Sequence, residues 1–182
     1  ILDLFQRPCR YIIPRYQRNY VWKETNWSEL ITDIKFTISA SGNMSWSHFL
    51  GTIVLSNYTP RRENETIRGI TDFEIIDGQQ RFTTLTLLAI CLKRLSKEEK
   101  IVLDMSWFNQ FNLDFQSRPK SSLTFQALLR GDHLQHLKSS EYNADLVQGF
   151  ELLQRAIEKI INQGGLSVFC KYLFENVVIT QV

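Results

Sequence analysis

The chain has 182 residues, with 21 Lys and Arg against 19 Asp and Glu, a net charge of +2, 43% hydrophobic and 22% charged residues. This excludes a disordered tail and a chain that coats nucleic acid by bulk charge, and the length suffices for a sizeable core. Three widely spaced cysteines, Cys9, Cys91 and Cys170, form neither a disulfide framework nor a zinc spacing; no 18-residue apolar run predicts a membrane span, and a reduced, cytoplasmic setting is expected.

The opening residues, ILDLFQRPCR, mix charges with apolar residues and so do not form a signal peptide; with no initiator Met, the chain is expected to be a fragment of a longer protein. Between Asp3 and Glu24 lie Arg7, Arg10, Arg15, Arg18 and Lys23 and no acid. Tyr11, Ile12 and Ile13 are β-formers, and Pro14 holds Ile13 extended. Trp27, Leu30, Ile31, Ile34 and Ile38 recur at helical spacing, which predicts a helix from Trp27 to Ile38 with Asn26 and Glu29 as an N-cap pair. Strands are predicted over Phe49 to Leu55 and Asp72 to Ile76. The polar linker between them, which carries Arg61 and Arg62, makes them a long-looped hairpin.

After the second strand, Phe82, Leu85, Leu88, Leu92 and Leu95 give a helix with one buried stripe. The stretch FNQFNLDFQ reads equally as strand or loop, and SLTFQALLRGDHLQHL as a short helix and a turn. Ala144 to Ile161 is an amphipathic helix ended by Gly164 and Gly165. LSVFCKYLFEN predicts a further short helix, and VVITQV a final strand that expects a neighbour. There is no internal repeat and no low-complexity tract.

Chemistry concentrates in two places. In EIIDGQQRFTTLTLL a strand passes into a helix through Asp77, Gly78, Gln79, Gln80 and Arg81. Asp77 can cap the first turn, Gly78 permits a bend, and the free N–H groups and dipole of the helix start favour an anion beside the planar cation of Arg81. A glutamine amide can orient a water at a phosphate. The competing reading is a well-capped helix with an idle polar first turn. The second place is IPRYQRNYVW, where Arg15 and Arg18 interleave with Tyr16, Tyr20 and Trp22; such a mix grips phosphate and stacks on bases, or else covers a core edge beneath solvated arginines. His133 and His136 lack a third ligand, so a solvated helix face is expected rather than a metal site.

Taken together, IPRYQRNYVW, then FLGTIVL, then IIDGQQRFTTLTLL resemble the N-terminal domain family of GmrSD-type restriction endonucleases, strongly from Tyr11 to about Leu92. The resemblance implies an α+β fold: a ParB/sulfiredoxin-like core of a small mixed sheet with packed helices in residues 1–100, and a mainly helical extension in residues 101–182 packed on it. It implies binding and hydrolysis of a nucleoside triphosphate, and Mg²⁺ is expected with it because phosphate charge usually needs a metal. Asp77, Gln79, Gln80 and Arg81 are then the catalytic candidates. Arg15, Tyr16, Gln17, Arg18 and Gly78 join them in nucleotide binding, and no protein metal ligand is assigned. DNA and a C-terminal nuclease domain or subunit are the implied partners of the intact protein. The downstream N-x-x-G-x-x-L segment and the HNH-type nuclease of longer members are not among these residues, so DNA cleavage is not expected of this chain by itself.

Overall fold

The computed structural model describes residues 1–41, 46–58, 71–98, 105, 108, 113–116, 118–163 and 165–182. The described elements are α1 (Leu2–Gln6), β1 (Cys9–Ile13), α2 (Glu24–Ser41), β2 (His48–Asn57), β3 (Thr71–Asp77), α3 (Gln79–Glu98), β4 (Leu113–Phe115), α4 (Pro119–Arg130), a 3-10 turn (His136–Lys138), α5 (Ala144–Asn162), α6 (Leu166–Glu175) and β5 (Val177–Gln181). The fold is α+β. Among the described residues five strands form one mixed sheet in the order β4-β1-β3-β2-β5. β2 and β3 pair antiparallel, as the expected hairpin requires, while the other three pairs are parallel. The hairpin's linker, with Arg61 and Arg62, lies outside the described residues.

Both edge strands come from the second half of the chain. Of the ambiguous FNQFNLDFQ stretch, Leu113–Phe115 form β4 beside β1 while residues 109–112 lie outside the described residues, and β5 finds its neighbour in β2. Arg10 ties three strands together on the β4 side. Its Nε and Nη2 donate to the two carboxylate oxygens of Asp72, its register partner on β3, at 3.1 and 2.7 Å, and Nη1 reaches Asp114 of β4 at 3.5 Å. The Asp72 side chain is buried, so its charge needs that bidentate partner.

The helix starts show how local chemistry sets boundaries. α2 begins at Glu24, three residues before the expected Trp27, because Asn26 is not the N-cap. It stands third in the helix and its Oδ1 accepts the N–H of Lys23, the reaching-back half of a capping box. At α5 the cap is Asn143, whose Oδ1 accepts from the Leu146 N–H at 3.2 Å. α4 starts on Pro119 and stops at Gly131, a left-handed cap with φ 91°.

α3 departs from the expectation of a single apolar stripe. It is buried nearly all round, with Thr83, Thr84 and Thr86 enclosed along with the aliphatic residues. One side meets the sheet, where Phe82 packs on Tyr11 with ring centroids 4.6 Å apart; another meets α5, where the Arg94 guanidinium lies over Phe150. A helix between two layers has no wet face to mark, so its hydroxyls bond inward instead: Thr86 Oγ1 donates to the Phe82 carbonyl at 2.9 Å. α1 was not foreseen from the sequence, yet its Leu4 and Phe5 enter the same core. All three cysteines are free and buried. Burial raises the thiols of Cys9 and Cys91 above their usual range and pushes Cys170 up to about 12, so they pack as small apolar groups. No helix of the described residues is long and apolar enough to cross a membrane.

Replacing Asp72 by Ala strands the half-buried Arg10 between three strands. The expected loss is about 3 kcal/mol of unfolding free energy, read by urea denaturation, with Asp72→Asn keeping part of it through the surviving hydrogen bonds. An unchanged midpoint in Asp72→Ala would show that the sheet does not depend on this pair.

Candidate functional site

β3 ends at Asp77 and α3 starts at Gln79, so the direction of the chain changes at one residue, Gly78. Its φ is +87°, which L side chains rarely adopt, and a Cβ there would lie 2.9 Å from both Ile53 Cγ1 and the Thr52 carbonyl oxygen. Glycine is therefore required by conformation and by the close approach of β2. Gly51 on β2 is called for by its backbone instead: its φ is +111°, and a Cβ there would only touch the Arg81 guanidinium at an ordinary 3.4 Å. Arg81 Nη2 donates to the Thr52 carbonyl at 2.6 Å and stands 3.8 Å from Asp77 Oδ2. Its Nε is buried with no acceptor among the described residues.

Asp77 does not cap the helix. Its carboxylate accepts no N–H of the first turn among the described residues and its side chain is 73% exposed, because Gly78 already occupies the capping position, its carbonyl accepting the Phe82 N–H at 2.9 Å. The N–H groups of Gln79, Gln80 and Arg81 have no acceptor among the described residues, as the start of a helix dictates.

The two glutamines face inward. They are only 5% and 8% exposed, and their amides hold the segment between β1 and α2. Residues 14–23 of that segment have no helix or strand of their own. Gln80 meets them as a peptide group would: Nε2 donates to the Asn19 carbonyl at 2.9 Å while Oε1 accepts the Val21 N–H at 3.0 Å. Gln79 Nε2 donates to the Arg18 carbonyl at 2.7 Å. Gln17 answers from the segment, its Nε2 donating to the Ile76 carbonyl at 2.6 Å. From the far half of the chain, Arg118 donates to the carbonyls of Gln17 and Arg18. Further along, Tyr20 is buried against Trp27, its hydroxyl 3.1 Å from Thr84 Oγ1, and burial pushes that hydroxyl above its ordinary pKa.

These contacts enclose a small pocket of about 140 Å³ lined by Gln17, Arg18, Trp22 and the whole turn from Asp77 to Arg81. The structure thus brings Gln17, Arg18, Asp77, Gly78, Gln79, Gln80 and Arg81 together. Arg15 and Tyr16 are exposed and do not line it; Tyr16 is 69% exposed. The aromatics of IPRYQRNYVW divide accordingly into one core residue (Tyr20), one pocket wall (Trp22) and one exposed ring (Tyr16). Arg118 was missed by sequence reasoning, and no local signal could have found it, since it acts on residues about 100 positions away. His133 and His136 stand with ring centroids 6.0 Å apart, and no cluster of three metal-ligating residues exists among the described residues.

The family model described as "GmrSD restriction endonuclease, N-terminal domain" matches residues 1–181. No curated protein matches the chain.

The amide clamp has a measurable consequence. Gln80→Leu leaves the Asn19 carbonyl and the Val21 N–H without partners and is expected to cost about 1–3 kcal/mol in urea unfolding. Gln80→Glu, which keeps the acceptor and loses the donor, should fall between wild type and Gln80→Leu. A neutral Gln80→Leu would show that the segment is held by other contacts.

Proposed function

The chain belongs to the GmrSD restriction endonuclease N-terminal domain family, and on that premise we propose that its DGQQR turn binds and hydrolyses a nucleoside triphosphate with Mg²⁺, as a regulatory step in a DNA restriction and phage-defence protein. One observation carries the reading. The open N–H groups of Gln79, Gln80 and Arg81, the Arg81 guanidinium and Arg18 border one pocket, a set of donors and cations suited to phosphate oxygens.

The residues then divide the work. Arg81 and the helix start hold phosphate charge. Arg18 adds charge from the facing segment, and Arg15 and Tyr16 belong to the outer rim. Gln80 has both amide ends engaged and positions the segment. Gln79 donates to Arg18 but keeps its Oε1 without a donor among the described residues, which makes it the glutamine able to orient a water. The exposed carboxylate of Asp77 fits Mg²⁺, which is commonly held by one or two carboxylates together with substrate phosphates. Bound with the nucleotide, the metal would neutralise phosphate charge. DNA and a nuclease domain or subunit are carried over as partners of the intact protein, and the ParB/sulfiredoxin-like core and its helical extension as the finer fold reading.

A second reading has an observation of its own. Both ends of Gln80 serve the fold, which favours a structural turn in a non-catalytic DNA-binding module. Mg²⁺-dependent phosphate release from GTP, ATP, CTP and UTP separates the two. Arg81→Ala and Gln79→Ala are expected to lower the rate by about 100-fold, the scale seen when one preorganised charge-stabilising group is removed. Arg81→Lys should recover part of the loss. A wild-type chain with no release, or variants as fast as wild type, would leave the DNA-binding reading, for which binding must weaken steeply with salt.

A further inference from the structure

The far end of α3 carries a second group of positive charges, about 20 Å along the helix from the turn at a rise of 1.5 Å per residue. There α3 and the end of α4 enclose a cavity of about 230 Å³, lined by the cations Lys93, Arg94, Lys97 and Arg130 and a single carboxylate, Glu98. We infer that this cavity is an anion site, separate from the turn, that takes a phosphate group, either free or in the backbone of DNA.

Counter-charge is missing at three of the four cations. Arg130 is paired with Asp132 at 2.8 Å. Lys93, Arg94 and Lys97 make no ion pair among the described residues, and neither does Glu98. The partners that Arg94 and Lys93 do have are neutral. Arg94 Nη2 donates to the carbonyls of Gly131 and Asp132 at 3.5 and 3.2 Å, and its guanidinium lies over the Phe150 ring. Its Nη1 is buried with no acceptor among the described residues. Lys93 Nζ donates to the Phe108 carbonyl at 2.7 Å, which uses one of its three donors. Charges gathered in this way work against one another. Burial first, and the Lys97 charge second, hold the Lys93 ammonium below its usual range.

Helix dipoles explain only part of the cluster. α3 and α4 both end here, and their last turns favour Lys97 and Arg130. Lys93 and Arg94 precede the last turn of α3, where that effect has faded. Size then limits the ligand. Sites for drug-sized molecules begin near ~300 Å³, so this cavity suits one small anionic group rather than a nucleotide. Three unpaired cations exceed the single charge of a carboxylate. A free phosphate, or successive phosphates of a DNA strand, meets them better, with the Arg94 fork and the two ammonium groups as donors. The restriction role of the family makes DNA the macromolecular source to test.

An NMR titration of the whole chain reads this cavity separately from the turn, through the backbone amides of Lys93, Lys97 and Gly131 against those of Gln79 and Arg81. Inorganic phosphate and a duplex DNA of mixed sequence are the two probes, with sodium chloride at equal ionic strength as the control. Saturable movement of the cavity amides is expected, with a Kd for inorganic phosphate near about 1 mM. Movement with phosphate alone assigns the site to free phosphate, and movement with DNA alone assigns it to the backbone. Lys97→Glu, at an exposed position, should weaken the effective probe about tenfold, the scale of one charge-assisted hydrogen bond. Glu98→Gln removes the opposing carboxylate and should tighten binding, an effect that loss of folding cannot produce. Cavity amides that neither probe moves beyond the control would overturn the site. So would movement that rises without saturation and is unchanged in Lys97→Glu. The amides of the turn report on the proposed hydrolytic site independently, so either site can fail without the other.

Discussion

Ten residues, 14–23, cross the protein between β1 and α2 without helix or strand, and their backbone groups must still find partners. The side-chain amides of Gln79 and Gln80 and the guanidinium of Arg118 supply them for the carbonyls of Gln17, Arg18 and Asn19 and the N–H of Val21. Much else depends on this arrangement. It fixes Tyr20 over Trp27 in the core, brings Trp22 to the edge of the turn, and sets Arg18 opposite Arg81 across a shared pocket. A side-chain amide is well suited to the task because it donates and accepts in the same plane as a peptide group. Gln80 thereby stands in for a strand where no strand is present.

The turn consequently has two faces. Inward, the amides join two segments of chain some 60 residues apart. Outward, the helix start presents N–H groups that no protein acceptor among the described residues takes. Arg81 stands between these faces, gripping the Thr52 carbonyl with one nitrogen while its charge remains beside the pocket. Two glycines with positive φ shape this corner: Gly78 lets β2 pass within contact of the turn, and Gly51 bends β2 where it lies against the guanidinium. A scaffold role for the turn and a cluster of cations beside it are thus compatible in one geometry. The same tight packing that explains the glycines and glutamines as scaffold also brings the cations together.

The elements with strong local signals were legible from the sequence. The hairpin strands, α2, α5 and the strand-to-helix passage at Asp77 announce themselves through periodicity and turn chemistry, and their ends moved by a few residues at most. The misreadings have local causes. Asn26 resembled an N-cap because the residue type suits both ends of a capping box, and the hydrogen bond to Lys23 decides which end it takes. α3 resembled an amphipathic helix because its threonines read as polar, whereas they are buried and bonded within the core. α1 is too short to carry a period, and β4 has three residues, so neither could be distinguished from loop.

The sequence by itself determined the α+β class, the family, and the two motifs in which the candidate site lies, because each is written in neighbouring residues. It could not decide which member of a motif faces inward. Tyr16 and Tyr20 are the same residue type four positions apart, yet one is exposed and the other buried. Gln79 and Gln80 are adjacent and identical, yet only one has both amide ends engaged. Those outcomes, together with the part played by Arg118, belong to the tertiary structure alone. They depend on contacts between segments from about 60 to 100 residues apart, and nothing in the spacing of neighbours encodes where such distant segments meet.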